Sequence, residues 1–231
     1  MKIGIIVAMD KEMRQLQSLF TDGQVKVIKC GIGKVNAALG AQQLINEFHP
    51  DCIISSGCAG GNGDDVHMKD IVVSTFLAYH DVYCGAAIDN TTVYGQVQGL
   101  PVRFQADPYL LEKALQLKDL PSLGNHEGTL PSPSGGGGVG VVPGLIVTGD
   151  WFVDSKEKMR EIVGHFPEAK AVDMESCAIA HTCYLNRVPF ISFRVVSDIP
   201  LRDDHASQYH DFWDTVSANS FLATKSLVES L

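Results

Sequence analysis

Apolar residues recur along the chain with two different spacings. Short runs of β-branched residues predict buried strands, and stretches with an apolar residue every three or four positions predict helices. The first strand is predicted at Lys2–Ala8, and a helix with Asp10 as its cap is predicted from Met9 to Phe20. Further strands are predicted at Val25–Cys30, Cys52–Ser56, Asp70–Phe76, Leu145–Thr148, Ala171–Met174 and Phe190–Val196. Further helices are predicted after Gly33, at Leu110–Leu117, around Met159–Phe166, at Glu175–Leu185 and, as one last helix, around Phe212, Val216, Ala223 and Leu227.

The alternation of strands and helices predicts an α/β fold with helices on both faces of a sheet. No internal repeat or linker interrupts the pattern, so residues 1–231 are predicted to form a single domain. The irregular stretch Leu120–Pro143 contains Pro-Ser-Pro-Ser-Gly-Gly-Gly-Gly, and we expect a long, mobile loop there.

Composition and charge narrow the classes of function. The chain has 231 residues, of which 45% are hydrophobic and 19% charged, as in ordinary globular proteins. Its formal net charge is −9 and no cluster of Lys or Arg stands out, so neither nucleic acid nor an acidic membrane surface is an expected partner. No apolar run approaches the ~18 residues of a membrane span, and the first residues lack the features of a signal peptide. We therefore expect a cytoplasmic protein without a membrane anchor.

The six cysteines and eight histidines point to neither disulfides nor a metal site. No two cysteines form a Cys-x-x-Cys pair, and free thiols in a reducing cytoplasm are the favoured interpretation. His205 and His210 lie near Asp203 and Asp204, but a solvated polar loop explains them better than metal binding.

Two glycine-rich segments follow predicted strands. Gly31-Ile32-Gly33 leads from a strand into a helix, and it is either a plain turn or part of a ligand site. Gly57–Gly61 lies past a strand end, where ligands bind in open α/β sheets, so contact between a ligand and bare backbone is favoured over a plain turn. Gly135, Gly137 and Gly140 have the spacing of a dinucleotide motif but lack the preceding strand and following helix.

Three acidic residues, Glu12, Glu175 and Asp198, follow predicted strands and could share one cleft. The period of two in a strand places Arg194, Val196 and Asp198 on one face. A buried arginine beside acids suits a site in which it holds a carboxylate or a water. Cleavage of a glycosidic bond needs one protonated acid for the leaving group and one ionised acid to activate water. Glycosidic hydrolysis therefore fits these residues, while helix caps and surface charges are the alternative interpretation.

These and further segments resemble one known family over nearly the whole chain. The segments are Met1–Met9, Gly31–Val35, Gly57–Gly61, Asp70–Ser74, Tyr79–Asp81, Thr148–Phe152, Val172–Glu175 and Arg194–Asp198. Their order and spacing resemble the 5′-methylthioadenosine/S-adenosylhomocysteine nucleosidases of the purine and uridine phosphorylase superfamily. The resemblance implies a three-layer αβα sandwich with a mixed, twisted central sheet, and a homodimer. It also implies a small nucleoside substrate, water as the second substrate, and no metal or organic cofactor.

The resemblance implies catalytic roles in hydrolysis of the bond between adenine and a 5′-thio-substituted ribose. Asp198 is implied as the general acid for N7 of adenine, steadied by Ser197. Glu12 is implied as the base that activates water, with Arg194 helping to hold that water.

The substrate-binding residues implied by the resemblance surround the ribose, the base and the 5′ group. Glu175 and the backbone of Met174 would bind the ribose hydroxyls, and Phe152 would stack on the purine. The remaining members are Val153 at the purine edge, Ala59 and Gly60 along the ribose and base, and Met9, Ile32 and Tyr209 around the 5′-thio group. Ordinary core packing is the competing interpretation for Phe152, Met9 and Ile32.

Three positions depart from the pattern of the family. Asp173 stands where the family usually has Glu, Cys58 in the implied binding segment stands where it often has Ser, and Pro200 stands where a small residue is expected. The departures leave the acid–base pair intact and bear on the choice of 5′ substituent. A nucleosidase for futalosine-type nucleosides is therefore the nearest alternative.

Two further alternatives differ in chemistry. A nucleoside phosphorylase on the same scaffold would need a basic phosphate pocket, and Glu12 would repel phosphate. A non-catalytic nucleoside-binding protein would not need an acid and a base on opposite sides of its ligand.

Overall fold

A computed structural model describes residues 1–21, 23–117, 140–215 and 221–231 of the chain. The strands are β1 (Ile3–Val7), β2 (Val25–Lys29), β3 (Cys52–Gly61), β4 (Ile71–Tyr79), β5 (Phe104–Gln105), β6 (Val141–Thr148), β7 (Ala169–Asp173) and β8 (Phe190–Asp198). The helices are α1 (Asp10–Gln17), α2 (Lys34–Phe48), α3 (Pro108–Leu115), α4 (Lys156–His165), α5 (Ser176–Asn186), α6 (His205–Thr215) and α7 (Leu222–Ser230).

The strands form one mixed sheet, and part of this sheet closes into a ring. β1 is parallel to both of its neighbours, β2 and β3. β8 is parallel to β3 and antiparallel to β4, whereas β4, β6 and β7 are parallel to one another. β7 then pairs antiparallel with the end of β3, so that β3, β8, β4, β6 and β7 form a closed path. The predicted mixed central sheet is confirmed, and its closure was not predicted.

Helices pack against the sheet from two sides, as the predicted layers require. One apolar cluster joins α2 and α5 to the sheet through residues such as Leu44 and Ile179. A second cluster joins α1, α3, α6 and α7 through residues such as Leu16 and Phe212. Every residue of β8 is buried, because this strand has a strand neighbour on each side and helices over both faces.

The sequence predicted that the glycine-rich segment after Cys52–Ser56 lies past the end of the strand, and this prediction is wrong. β3 continues to Gly61, because Gly60 and Gly61 pair with Val172 and Ala171 of β7. In the pairing of β3 with β8, Ala59 faces Val196 and Gly60 faces Asp198. One residue of β8, Ser197, is therefore an extra residue in a β-bulge.

Other predicted boundaries also change. The N-cap of α1 is Met9 rather than Asp10, which is the first helical residue. β6 begins at Val141, so the end of the predicted loop 120–143 belongs to a strand. The rest of that loop, apart from Gly140, lies outside the described residues.

The predicted last helix is described as two helices, α6 and α7. Phe212, Ala223 and Leu227 are buried as the pattern predicted. The fourth residue of that predicted stripe, Val216, lies outside the described residues.

Within the described ranges, no helix is long and apolar enough to cross a membrane. All six cysteines belong to those ranges, and each is a free thiol.

Asp107 should stabilise α3 measurably. Its Oδ1 accepts hydrogen bonds from the backbone N–H groups of Tyr109 at 3.0 Å and Leu110 at 3.1 Å, and Pro108 occupies the first helical position. We expect Asp107→Ala to lower the free energy of unfolding by about 1 kcal/mol, measured by urea denaturation. Asp107→Asn is the matched control, because asparagine caps helices about as well. Equal destabilisation by both variants would contradict the capping role.

Candidate active site

A cavity that is open to solvent, with about 630 Å³ of empty space including the part outside its mouth, lies where several strands end. Its wall is formed by residues that follow β1, β2, β6 and β7, by the last residues of β3 and β8, and by α6. Every site residue predicted from the sequence lines this cavity, except Arg194. The predicted residues on the wall are Met9, Glu12, Ile32, Cys58, Ala59, Gly60, Phe152, Val153, Met174, Glu175, Ser197, Asp198 and Tyr209. The two carboxyl groups at positions 12 and 198 thus share one cavity.

Glu12 lies in the first turn of α1 and is fixed by three backbone N–H groups. Its Oε2 accepts from Ala8 and Met9, both at 2.9 Å, and its Oε1 accepts from Cys58 at 3.1 Å. Burial raises the pKa of the Glu12 carboxyl above its ordinary value, whereas Arg194 and the three N–H groups oppose the shift. The carboxyl group is therefore held in one orientation and is a stronger proton acceptor than an exposed glutamate.

Asp198 ends β8 and is 5% exposed. Its Oδ1 accepts a hydrogen bond from Ser197 Oγ at 2.7 Å. Burial raises the pKa of the Asp198 carboxyl, while the Ser197 hydroxyl and the nearby His205 act in the opposite direction. A raised pKa increases the fraction of this group that holds a proton near neutral pH.

The bulge at Ser197 changes which side chains of β8 reach the cavity. The strand period predicted Arg194, Val196 and Asp198 on one face, and this prediction is wrong beyond Val196, because the extra residue interrupts the alternation. Ser197 and Asp198 both line the cavity, and Arg194 and Val196 do not.

Arg194 lies behind the cavity wall, where it is 1% exposed. Its Nε donates to Ser176 Oγ at 3.0 Å and lies 3.0 Å from Asp173 Oδ2. Its Nη2 donates to Ser55 Oγ at 2.8 Å and lies 3.9 Å from Glu175 Oε2. The guanidinium therefore has polar partners on several elements, and its charge is compensated by carboxylates.

Gly57 allows Arg194 and Glu12 to approach each other. A Cβ atom on this glycine would lie 2.3 Å from Arg194 Nη1 and 2.6 Å from Glu12 Oε1. Such distances leave no space for a side chain, so β3 needs glycine at this point. The positive charge of Arg194 consequently reaches the base of the cavity beside Glu12.

Glu175 follows β7 and forms the N-cap position of α5. Its Oε1 accepts from the backbone N–H of Gly33 at 3.0 Å, which joins it to the turn before α2. Burial raises the pKa of Glu175 to about 7, and Asp173 and Glu12 add to this effect while Arg194 opposes it. The cavity therefore holds a third buried carboxyl group that binds a proton more tightly than an exposed glutamate does.

Apolar and aromatic side chains form the outer wall. The rings of Phe152 and Tyr209 meet edge to face at 5.3 Å. Ile32, Trp151 and Phe152 are 52%, 53% and 53% exposed, so this part of the wall is open at the surface. Core packing, the competing interpretation for Phe152 and Ile32, therefore does not fit them.

The chemistry of the wall is acidic and apolar. No lysine or arginine is among the described residues that line the cavity. The part of the chain that the structure describes also contains no group of three or more His, Cys, Asp or Glu side chains that could hold a metal ion.

Known proteins share both sequence and fold with this chain. The family model of the phosphorylase superfamily matches residues 17–229. A 5′-methylthioadenosine/S-adenosylhomocysteine nucleosidase from an Exiguobacterium species is 36% identical over 95% of this chain and 94% of its own length. The chain belongs to this nucleosidase family of the phosphorylase superfamily.

Solved structures of the nucleosidase family have the same fold. The enzyme from Neisseria meningitidis, in complex with methylthio-immucillin-A, has a TM-score of 0.82 and 35% identity, covering 100% of this chain and 99% of that one. The enzyme from Colwellia psychrerythraea, in complex with adenine, has a TM-score of 0.86 and 30% identity, covering 100% of this chain and 96% of that one.

Sequence reasoning about the candidate site missed some residues that line the cavity. The cavity is also lined by Ala8, Trp151, Val172, Asp173 and Pro200. Trp151 could have been found, because it stands beside Phe152 directly after a predicted strand. Pro200 was noted only as a departure, and it faces Gly60, whose Cβ atom would lie 2.9 Å from Pro200 Cγ.

Asp173, the other departure on the wall, has a defined set of partners. Its carboxylate accepts from Thr148 Oγ1 at 2.5 Å, from the Ser176 backbone N–H at 3.3 Å and from the Ser176 hydroxyl, and it pairs with Arg194. Asp173, which is shorter than the glutamate usual in the family, thus connects β6, α5 and β8 directly at the cavity.

The buried carboxyl of Glu175 should make stability depend on pH. Because its pKa is raised from the ordinary 4.5 to about 7, its protonated form favours the folded state. Its contribution is complete below about pH 4.5 and is lost as the pH rises through about 7, and it amounts to roughly 3 kcal/mol at most. We expect the unfolding free energy to fall between pH 5 and pH 8 by more in the wild type than in Glu175→Gln, measured by urea denaturation. Parallel pH profiles for the two proteins would contradict the raised pKa.

Proposed function

We propose that this protein hydrolyses the N-glycosidic bond of 5′-thio-substituted adenosines, 5′-methylthioadenosine and S-adenosylhomocysteine, and releases adenine. The observation that carries the proposal is the pair of buried carboxyl groups, Glu12 and Asp198, on the wall of one cavity. The relatives named above support the choice of substrate, because they are called 5′-methylthioadenosine/S-adenosylhomocysteine nucleosidases, and one is complexed with adenine.

Asp198 is the general acid in this proposal. Adenine leaves more easily once its N7 is protonated, and the burial that raises the pKa of Asp198 favours its protonated form. The Ser197 hydroxyl donates to Asp198 Oδ1, which stabilises the carboxylate after it has released its proton. Burial therefore favours the protonated form before the transfer, and the hydrogen bond from Ser197 stabilises the carboxylate after it.

Glu12 is the general base. Bond cleavage leaves positive charge on the ribose, and a water molecule deprotonated by Glu12 adds to the sugar. The three N–H groups that bind Glu12 fix its orientation, and its raised pKa makes it a better proton acceptor. Arg194 lies behind the wall rather than on it, so in this proposal it acts mainly through its positive charge.

Substrate binding is assigned to the remaining residues of the wall. Glu175 and the Met174 backbone bind the ribose hydroxyls, and Phe152 stacks on adenine. Val153, Ala59 and Gly60 meet the base and ribose, Met9, Ile32 and Tyr209 surround the 5′-thio group, and Cys58 adds a thiol. Burial raises the pKa of the Cys58 thiol well above its ordinary value, so it contributes neutral contact area.

A phosphorylase would need positive charge for its second substrate. The described wall includes Glu12, Asp173, Glu175 and Asp198 but no lysine or arginine, and Arg194 is already compensated by Asp173. An incoming phosphate would therefore be repelled, which favours water as the nucleophile.

The proposal extends to the state of the protein in the cell. We assign one nucleosidase domain to the whole chain, and a homodimer in which a second copy covers the open apolar part of the wall.

We also assign the protein to the cytoplasm, because its six free thiols fit a reducing compartment. Hydrolysis of methylthioadenosine there would return a methylthio-sugar for methionine salvage.

Removing the acid or the base should abolish most turnover without preventing binding. We expect Asp198→Asn and Glu12→Gln each to lower kcat for methylthioadenosine by about 10²- to 10⁴-fold, with the Kd of the nucleoside changed only a few-fold. Adenine release and calorimetric binding provide the two measurements. Asp64→Asn, at an exposed acid in the loop after β3, is the control and should behave as wild type. A near-normal rate for Asp198→Asn would remove it from the mechanism.

The identity of the nucleophile and of the substrate can be tested together. We expect adenine release from methylthioadenosine in phosphate-free buffer, at a rate that added phosphate does not increase. Futalosine-type nucleosides and unsubstituted adenosine form the comparison panel. Strict dependence on phosphate with ribose 1-phosphate products would establish a phosphorylase instead, and preference for a futalosine-type nucleoside would reassign the substrate.

A further inference from the structure

Three charged side chains outside the cavity wall join the chain segments that carry part of that wall. Lys34 begins α2, Asp81 follows β4, and Asp150 follows β6. Lys34 Nζ donates to both carboxylate oxygens of Asp81, at 2.8 and 2.7 Å. The backbone N–H of Asp150 donates to Asp81 Oδ2 at 2.8 Å, and the backbone N–H of Lys34 donates to Asp150 Oδ1 at 2.7 Å. These contacts form a closed ring, which we call the Lys34–Asp81–Asp150 clasp.

The clasp supplies a helix cap that α2 lacks locally. The N-cap residue of α2 is Gly33, which has no side chain to accept the free N–H groups of the first turn. Asp150 supplies the missing acceptor from a position 116 residues away, and its negative charge lies at the positive end of the helix.

The backbone around the clasp is packed so closely that side chains are excluded. A Cβ atom on Gly33 would lie 2.9 Å from Asp150 Oδ1, and Gly33 has φ of +93°. A Cβ atom on Gly149 would lie 2.3 Å from the buried ring of His80 and 2.8 Å from Asp81 Cγ. The three segments therefore meet in one arrangement, which the ion pair and hydrogen bonds of the clasp maintain.

Residues adjacent to the clasp in the chain contact the proposed substrate site. Gly33, next to Lys34, donates its N–H to Glu175 Oε1. Ile32 lines the cavity, and so do Trp151 and Phe152, which directly follow Asp150. By contrast, the hydrogen bonds that hold Glu12 and Asp198 come from Ala8, Met9, Cys58 and Ser197, and none of those residues belongs to the clasp.

We propose that Lys34, Asp81 and Asp150 are positioning residues that hold the ribose-binding and base-binding parts of the wall in register with each other. The clasp therefore sets the affinity for the nucleoside more than the rate of proton transfer. This inference rests on the proposed nucleosidase function for its substrate, but the clasp itself is a feature of the geometry.

The kinetic test separates KM from kcat. We expect Asp81→Asn and Lys34→Met each to raise KM for methylthioadenosine about fivefold to tenfold while kcat stays within about twofold. The double variant should be no more than about twofold worse than either single variant, because the two residues act as one unit. Lys34→Arg should recover most of the affinity, since a guanidinium can also pair with both oxygens of Asp81.

The matched control is an ion pair of the same type away from the cavity. Lys170 Nζ lies 2.6 Å from Asp65 Oδ1, and Asp65→Asn should leave KM unchanged. The proposal is overturned if KM is unchanged in the clasp variants, if kcat falls instead of KM rising, if the two single effects add, or if Asp65→Asn has the same effect. If Asp81→Asn does not fold, Lys34→Met carries the test, because it removes the other half of the ion pair.

Amide hydrogen exchange tests the clasp without relying on the reaction. We expect faster exchange in residues 31–34 and 149–153 of Asp81→Asn than of the wild type, and no such change in Asp65→Asn. If the wild type does not hydrolyse methylthioadenosine, the proposed function fails, and exchange alone then decides on the clasp. Unchanged exchange in both segments would overturn the clasp whatever the substrate is.

Discussion

The guanidinium of Arg194 is buried, and the arrangement of the cavity depends on how its charge is compensated. Removing a charge from water is costly, and a buried ion is tolerated only when its hydrogen bonds and its charge are satisfied. Here Ser55 on β3, Ser176 on α5 and Asp173 on β7 converge on it. Three separate elements are thereby held in register beneath the base of the cavity, and Gly57 leaves the space that this convergence requires.

The same cation affects the acids around it unequally. Glu12, Asp173 and Glu175 are all buried around this one positive charge, and burial raises the pKa of both Glu12 and Glu175. Asp173 has the closest contact with Arg194 and several hydrogen bonds besides, whereas Glu175 lies 3.9 Å away and has its pKa raised. Burial also raises the pKa of Asp198, and Arg194 is not among the causes of that shift, which separates Asp198 from the rest of the cluster. Two carboxyl groups in one cavity can thus have different tasks, because their surroundings differ.

The fold class could be predicted from the sequence because its signals are local, and most residues named for the candidate site line one cavity. Strand ends followed by acids identified Glu12, Glu175 and Asp198, and the resemblance to the nucleosidase family implied the apolar wall. The predictions that were wrong concern features that depend on contacts with residues far away in the chain. The glycine segment stays in β3 because β7 pairs with it, and the bulge at Ser197 exists only in the pairing of β3 with β8. The place of Arg194 behind the wall likewise follows from Ser55 and Ser176, which no periodicity connects to it.

The distant cap of α2 has a consequence for how the molecule assembles. The first turn of a helix is the most costly to form, and here its acceptor arrives on a segment more than a hundred residues later in the chain. Contacts between distant segments form late, because a long loop must close before they contribute. The start of α2 can thus gain this acceptor only after β6 has joined the sheet, so that the turn at Gly31–Gly33 is completed late in folding.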